Sequence, residues 1–336
     1  MRNYRFDVIR VAAMVMVLLN HTLGAFILDT SRSAVELGVA SVSMVLSRLG
    51  VPLFLMLTGA LLLEQKAPTD WMQTIKKRVC KVLLPLLCWS LLYYIFYDVM
   101  RDGNFSVLSL LKIGVEVGNG EHLWYLYILL ILYAFLPILH AFVEKSPQYV
   151  YVCIAVWALV VGVLPYISDT ISAGENLHLW GYLLLGWFLA RCRKKALIRV
   201  SQWAVIPLIL SVSAVVWYFA VVHEVFQKSV IRYYGLPIIV LAAVVFIVIY
   251  SGKGTGKGKW GKIITYLSKI SFCVYLNQLF ARAIAGRLLE YFEITGIVEM
   301  LLLFVLTSVL SIVCAALLHS LPDKPFFRGI KKLLGV

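Results

Sequence analysis

No segment of this sequence is long and polar enough to make a water-soluble domain of its own, and that absence excludes more functions than any single motif does. Charge is sparse at 14% of residues, and negative charge is sparser still, with 17 Asp and Glu against 31 Lys and Arg. Apolar residues make up 62% of the chain and the mean hydropathy is +0.90, so the chain holds more apolar surface than a soluble fold of 336 residues can bury. Such a chain takes lipid as its solvent. The six cysteines, Cys80, Cys88, Cys153, Cys192, Cys273 and Cys314, form no C-x-x-C pair and lie in or beside apolar stretches. They predict neither a disulfide framework nor a metal site. An internal repeat is also missing, which disfavours the inverted halves of many secondary transporters.

A bilayer core about 30 Å thick takes roughly 20 apolar residues per helical crossing. Ten stretches qualify, near 6–28, 37–63, 79–99, 123–143, 148–167, 177–192, 203–222, 233–250, 263–286 and 297–318. The expectation is an all-α, polytopic transmembrane bundle of about ten helices, one domain over residues 1–336. With the N-terminus inside, 21 basic residues fall in cytoplasmic segments, including Lys76 to Lys81, Arg191 to Arg199, Lys253 to Lys262 and Lys324 to Lys332. Only six fall outside: Arg32, Arg101, Lys112, Lys228, Arg232 and Arg287. That asymmetry predicts both termini in the cytoplasm. It also assigns the net charge of +14 to topology and anionic lipid surfaces, not to nucleic acid. The first stretch is too long for a signal-peptide core, and Asp7, Arg10 and His21 interrupt it.

The loop from Ser251 to Lys262 holds Gly256 to Lys262, a fit to GxxxxGK. Ile263 stands where a phosphate loop needs Ser or Thr, and no strand precedes it, so a basic loop at the lipid surface is the simpler reading.

Charges inside hydrocarbon are expensive, so the informative residues are those the composition ought to have excluded. Asp7, Arg10 and His21 fall within about 60° of one another on a helix, with Arg10 and His21 ~16 Å apart along its axis. Neutral imidazole is a natural general base near pH 7. Asp7 and Arg10 also stand at i, i+3, the spacing of a mutually neutralising pair. Arg48 precedes the run Gly50 to Gly59, where Pro52 is expected to interrupt the helix and the glycines to allow close backbone approach. Lys77, Arg78 and Lys81 enter the third span from the cytoplasm, as topology signals or as a clamp for phosphates. Arg282 and Lys269 lie within the ninth span, and His122, Trp124 and Tyr125 stand at the outer mouth of the fourth. The aromatics there suit either sugar stacking or an interfacial belt.

Several of these motifs together resemble acyltransferase family 3, the bacterial membrane-bound acyltransferases. Arg5-Phe6-Asp7-Val8-Ile9-Arg10 followed by His21 is similar to the family's opening helix. Val51 to Gly59 resembles its second-span run, Lys77 to Pro85 its cytoplasmic basic motif, and His122-Leu123-Trp124-Tyr125-Leu126 its fourth-span entrance. Ser271 to Gln278 resembles a late span that commonly ends in His, where this chain has Gln278. The resemblance implies an acyl-CoA donor, commonly acetyl-CoA, on the cytoplasmic side of a bacterial inner membrane. It also implies an acceptor hydroxyl at the outer side, on a cell-envelope glycan or lipid-linked saccharide.

On this reading His21 is the catalytic base or relays the acyl group, Arg48 stabilises the oxyanion and Asp7 balances Arg10. Arg10, Lys77, Arg78 and Lys81 hold donor phosphates, and His122, Trp124, Tyr125 and Arg282 meet the acceptor. No metal is called for. The competing class is a transporter or flippase of a lipid-linked saccharide, in which the same charges pair along a moving pathway.

Overall fold

The computed structural model describes residues 3–103, 105–107, 121–163, 177–192, 194–223, 228–252, 254 and 256–336. Most of the outer segment 100–121 lies outside these residues, as do 164–167 of the fifth predicted span and the basic residues Lys112, Arg193 and Lys253. Among the described residues every regular element is helical. The α-helices are α1 (Tyr4–Thr22), α2 (Ala34–Ser47), α3 (Gly50–Leu62), α4 (Trp71–Tyr93), α5 (Trp124–Lys145) and α6 (Val150–Gly162). They continue with α7 (Gly181–Arg191), α8 (Lys195–Val222), α9 (Leu236–Ser251), α10 (Gly258–Tyr291), α11 (Gly296–Ser320) and α12 (Pro325–Leu334).

Among the described residues five helical segments are long and apolar enough to cross a membrane: Ala34–Leu62, Trp71–Arg101, Trp124–Lys145, Lys195–Val222 and Gly296–Ser320. Pro147–Gly162 and Leu236–Ser251 are apolar but shorter. α8 shows why lipid is needed, because Trp203, Ile206 and Leu210 stand 79%, 64% and 56% exposed on a helix with few buried positions.

Local chemistry explains the helix starts. The Asn3 side chain accepts from the Arg5 amide at α1, and Asp70 accepts from the Gln73 amide at α4. Ser33 and Glu36 form a reciprocal capping box at α2. α4 runs on into a π-helical segment, Tyr94–Arg101, a form of helix that recurs at functional sites.

α1 is the hub of the bundle, packed on α2, α3, α9, α10 and α11. Its buried positions include Ile9, Ala13, Met14, Val17 and Leu18, together with Asp7. Gly50 lets α3 reach it: a Cβ there would lie 2.7 Å from the Val17 side chain and 3.1 Å from the Ala13 carbonyl. α3 and α7 approach closer still. A Cβ on Gly59 would sit 1.9 Å from the Leu183 carbonyl oxygen, and one on Gly186 would sit 2.0 Å from that of Met56. Small residues at a crossing are the usual means of packing helices where lipid competes for apolar surface.

The helix interruption expected at Pro52 occurs one turn earlier, at Arg48 and Leu49 between α2 and α3. Proline lacks the amide that would close onto the carbonyl four residues back, and its ring crowds that same carbonyl. Pro52 therefore disrupts the chain at Arg48 while itself sitting comfortably in the first turn of α3. At the other end of the chain, α12 packs on α4, and the Trp89 indole donates to the Leu334 carbonyl at 3.3 Å.

Candidate functional site

Two centres lie along α1, one near each end. Near the start, the Ser268 hydroxyl of α10 donates to the Asp7 carboxylate at 2.7 Å and accepts from Arg10 at 3.0 Å. Arg10 stands 3.6 Å from the same Asp7 oxygen, and the Asp7 side chain is 3% exposed against 30% for Arg10. The three groups tie α1 to α10, and Arg10 remains partly open. Its charge reaches Tyr125 on α5.

Near the end of α1, His21 meets His122 edge to face, with ring centroids 5.8 Å apart. His122, expected at the outer mouth of the fourth span, lies in the short turn just before α5 and is 1% exposed. Tyr93 and Tyr275 enclose it at 5.2 and 5.3 Å between centroids, and the Tyr275 hydroxyl donates to the His122 carbonyl. His122 Nε2 lies 3.4 Å from the Leu276 carbonyl oxygen, a long contact in which only the nitrogen can donate. That leaves Nδ1 as the basic nitrogen, buried and without a hydrogen-bond partner. Two nitrogen bases thus share one apolar pocket. The cations whose fields act on His21 are Arg282 and Arg48.

Arg48 owes its place to the break before α3, which turns its side chain into the bundle. Its guanidinium carbon lies 4.9 Å above the Tyr233 ring, and its Nε is buried without a hydrogen-bond partner. Trp124 packs on Tyr233 at 5.6 Å, and Tyr125 lies between Phe54 and Tyr275 at 6.3 and 6.0 Å. Arg48, His122, Trp124 and Tyr125 are therefore neighbours through shared aromatic contacts. Trp124 and Tyr125 are partly buried, each packed against rings from other parts of the chain.

Beyond the C-terminal end of α1 opens a cavity of about 610 Å³. Its walls include Phe26, Phe96 and Tyr97, the acids Asp29 and Glu299, and four arginines, Arg32, Arg101, Arg282 and Arg287. Arg282 thus belongs both to this cavity and to the surroundings of His21. Asp29 stays ionised: the Ser31 hydroxyl at 2.6 Å, and then Arg32, hold its carboxyl below the usual value.

The basic residues of α4 are less gathered. Lys77 and Lys81 are exposed, while the Arg78 guanidinium lies 6.0 Å above the Tyr133 ring, with its Nε buried and unpartnered. A second cavity, about 430 Å³, opens at the N-terminal end of α1 between Asn3, Phe6, Glu64, Arg191 and Tyr250. There Phe6 stacks on Tyr250 at 5.4 Å, and Arg5 lies 5.7 Å from the same ring. Among the described residues no group of three or more His, Cys, Asp or Glu is placed to hold a metal, and all six cysteines are free thiols.

Reading along the chain missed Ser268, Tyr93, Tyr233 and Tyr275. Each is an ordinary residue of an apolar helix or its flank, and its role is defined only by a partner far away in the sequence. Gln278, where the resembling span commonly has His, is fully buried and donates to the Tyr275 carbonyl at 3.0 Å, with its own oxygen unpartnered.

A helical bundle with apolar helices exposed to lipid, ion-paired side chains on a central helix and two histidines in contact in the interior is an integral membrane protein. The family model described as "Acyltransferase domain", that of acyltransferase family 3, matches residues 3–319, and the chain belongs to this family of membrane acyltransferases. Neither a curated protein nor a solved structure matches the chain.

Proposed function

We propose that the protein is a membrane O-acyltransferase which takes an acyl group, most simply acetyl, from cytoplasmic acyl-CoA. The acceptor is a hydroxyl of a cell-envelope glycan or lipid-linked saccharide at the outer face of a bacterial inner membrane. The helices make ten crossings with both termini inside, so the N-terminal end of α1 faces the donor and its C-terminal end faces the acceptor. The contact between His21 and His122, in a pocket next to an arginine-lined cavity, is the observation that carries this reading.

In the reaction His21 takes the proton of the acceptor hydroxyl as its oxygen attacks the thioester carbonyl. Arg48 stabilises the oxyanion, and collapse of the tetrahedral intermediate expels CoA as thiolate. His122 holds the acceptor hydroxyl through its unpartnered Nδ1, Trp124 and Tyr125 stack on the sugar, and Arg282 joins the acceptor cavity to the base. At the donor end Arg10, neutralised in part by Asp7, takes the donor phosphates together with Lys77, Arg78 and Lys81.

Purified protein mixed with acetyl-CoA should release free CoA, faster with an extract of cell-envelope glycans than without. His21→Ala should lower the rate by ~10²–10⁴ while the protein still binds acetyl-CoA. A transporter of a lipid-linked saccharide would release no CoA, and a fully active His21→Ala variant would remove the base from the mechanism.

A further inference from the structure

Four arginines and two acids line the larger cavity, Arg32, Arg101, Arg282 and Arg287 with Asp29 and Glu299. Both carboxylates are already engaged by one arginine. Arg32 lies 3.2 Å from Asp29 and 3.4 Å from Glu299, and it also reaches Glu36 at 3.3 Å. Arg101 is held at 2.8 Å by Asp102, its neighbour in sequence. Among the described residues neither Arg282 nor Arg287 forms an ion pair with a carboxylate.

Two guanidinium groups on one helix, about 7.5 Å apart along its axis, thus have no carboxylate partner among the described residues. Arg282 is only partly exposed, and a cation so placed is costly unless a ligand brings the opposite charge. Arg287, exposed on the same wall, can close onto the same ligand. That wall also carries the rings of Phe26, Phe96 and Tyr97, which suit the apolar face of a sugar or a lipid chain.

We infer that this cavity is a phosphate-binding site and that the acceptor is a phosphate-bearing saccharide, its phosphate held by Arg282 and Arg287. The inference rests on the acyltransferase reading for the identity of the ligand as acceptor, though not for the binding of phosphate itself. A phosphate is preferred over a single carboxylate because its several oxygens can pair with Arg282 and Arg287 together, guanidinium forks binding such oxygens bidentately. Held there, the acceptor has its phosphate beside Arg282, whose field already acts on His21, so the anchor and the base lie within one reach.

The test uses the full chain in nanodiscs of phosphatidylcholine, with radiolabelled inorganic pyrophosphate as probe in equilibrium dialysis. Saturable binding is expected, weakened roughly tenfold in Arg287→Gln and partly restored in Arg287→Lys, which returns the charge without the fork. Arg101→Gln, which removes an arginine already paired with Asp102, should change the affinity less. Displacement by a polyprenyl phosphate identifies a lipid-linked source, and displacement by glucose 1-phosphate alone identifies a soluble one. No saturable binding, unchanged affinity in Arg287→Gln, or equal displacement by glucuronate would overturn the inference. Release of CoA from acetyl-CoA is followed in the same preparations. Intact CoA release without phosphate binding sinks this inference alone, whereas phosphate binding without CoA release sinks the acyltransferase reading and leaves the site standing.

Discussion

The Asp7, Arg10 and Ser268 cluster permits a quantitative test of what holds α1 to α10. Asp7 is buried and accepts from Ser268 at 2.7 Å, with Arg10 at 3.6 Å. Asp7→Ala removes a hydrogen bond to a charged group, about 1.5–3 kcal/mol, and takes the Asp7 carboxylate away from Arg10. The Arg10 side chain is 30% exposed, so water screens part of that second loss, and a total of about 3 kcal/mol is expected, at the low end for breaking a buried pair. Arg10→Gln alone should cost about 1 kcal/mol, as for a partly solvated pair. If the groups act as a unit, the double variant should be less destabilised than the sum of the two by about 1–2 kcal/mol, because the second change removes a charge whose interaction with Asp7 is already gone. Reversible unfolding in mixed detergent micelles, followed by circular dichroism, measures all four corners of the cycle. Additivity within about 0.5 kcal/mol would refute the coupled cluster.

Other outcomes test separate parts of the account. Changing Lys77, Arg78 and Lys81 together to Gln should raise the Michaelis constant for acetyl-CoA, with the difference from wild type shrinking at high salt; an unchanged constant in correctly inserted protein would leave these residues a topological role only. Gly186→Ala should lower thermal stability in detergent sharply, by more than about 2 kcal/mol, since the added carbon meets the Met56 backbone and not a side chain that can rotate away. A melting temperature within a degree of wild type would show that α3 and α7 are not locked at this crossing.

The parts of the architecture that depend on local pattern were legible in the sequence. Apolar runs marked the helices, and the i, i+3 spacing of Asp7 and Arg10 anticipated their contact at 3.6 Å. Arg48 stood out because a charge beside a Gly and Pro run is rare in hydrocarbon, yet the position of the break followed from the carbonyl that Pro52 crowds, one turn back. Contacts across the bundle were not legible. Ser268 lies 261 residues from Asp7, and a serine in an apolar helix carries no local sign of its partner. The pairing of His21 with His122 depends on how α1 and the start of α5 are brought together, which periodicity does not encode. Arg287 read as an outer-loop charge because sequence position alone does not reveal that it shares a cavity wall with Arg282.

The central claim is that donor and acceptor meet from opposite faces of the membrane, and sidedness tests it most directly. Proteoliposomes of one orientation, sorted by protease accessibility of the basic loop around Lys257, receive acetyl-CoA on one face and acceptor glycan on the other. Transfer is expected only when acetyl-CoA is supplied on the face carrying Lys77 and Lys257, with the acetylated acceptor recovered from the opposite face. Arg10→Gln should then impair donor use, and Arg282→Gln chiefly acceptor use. Acetylation of an acceptor confined to the donor's own face, with none across the bilayer, would contradict the central claim.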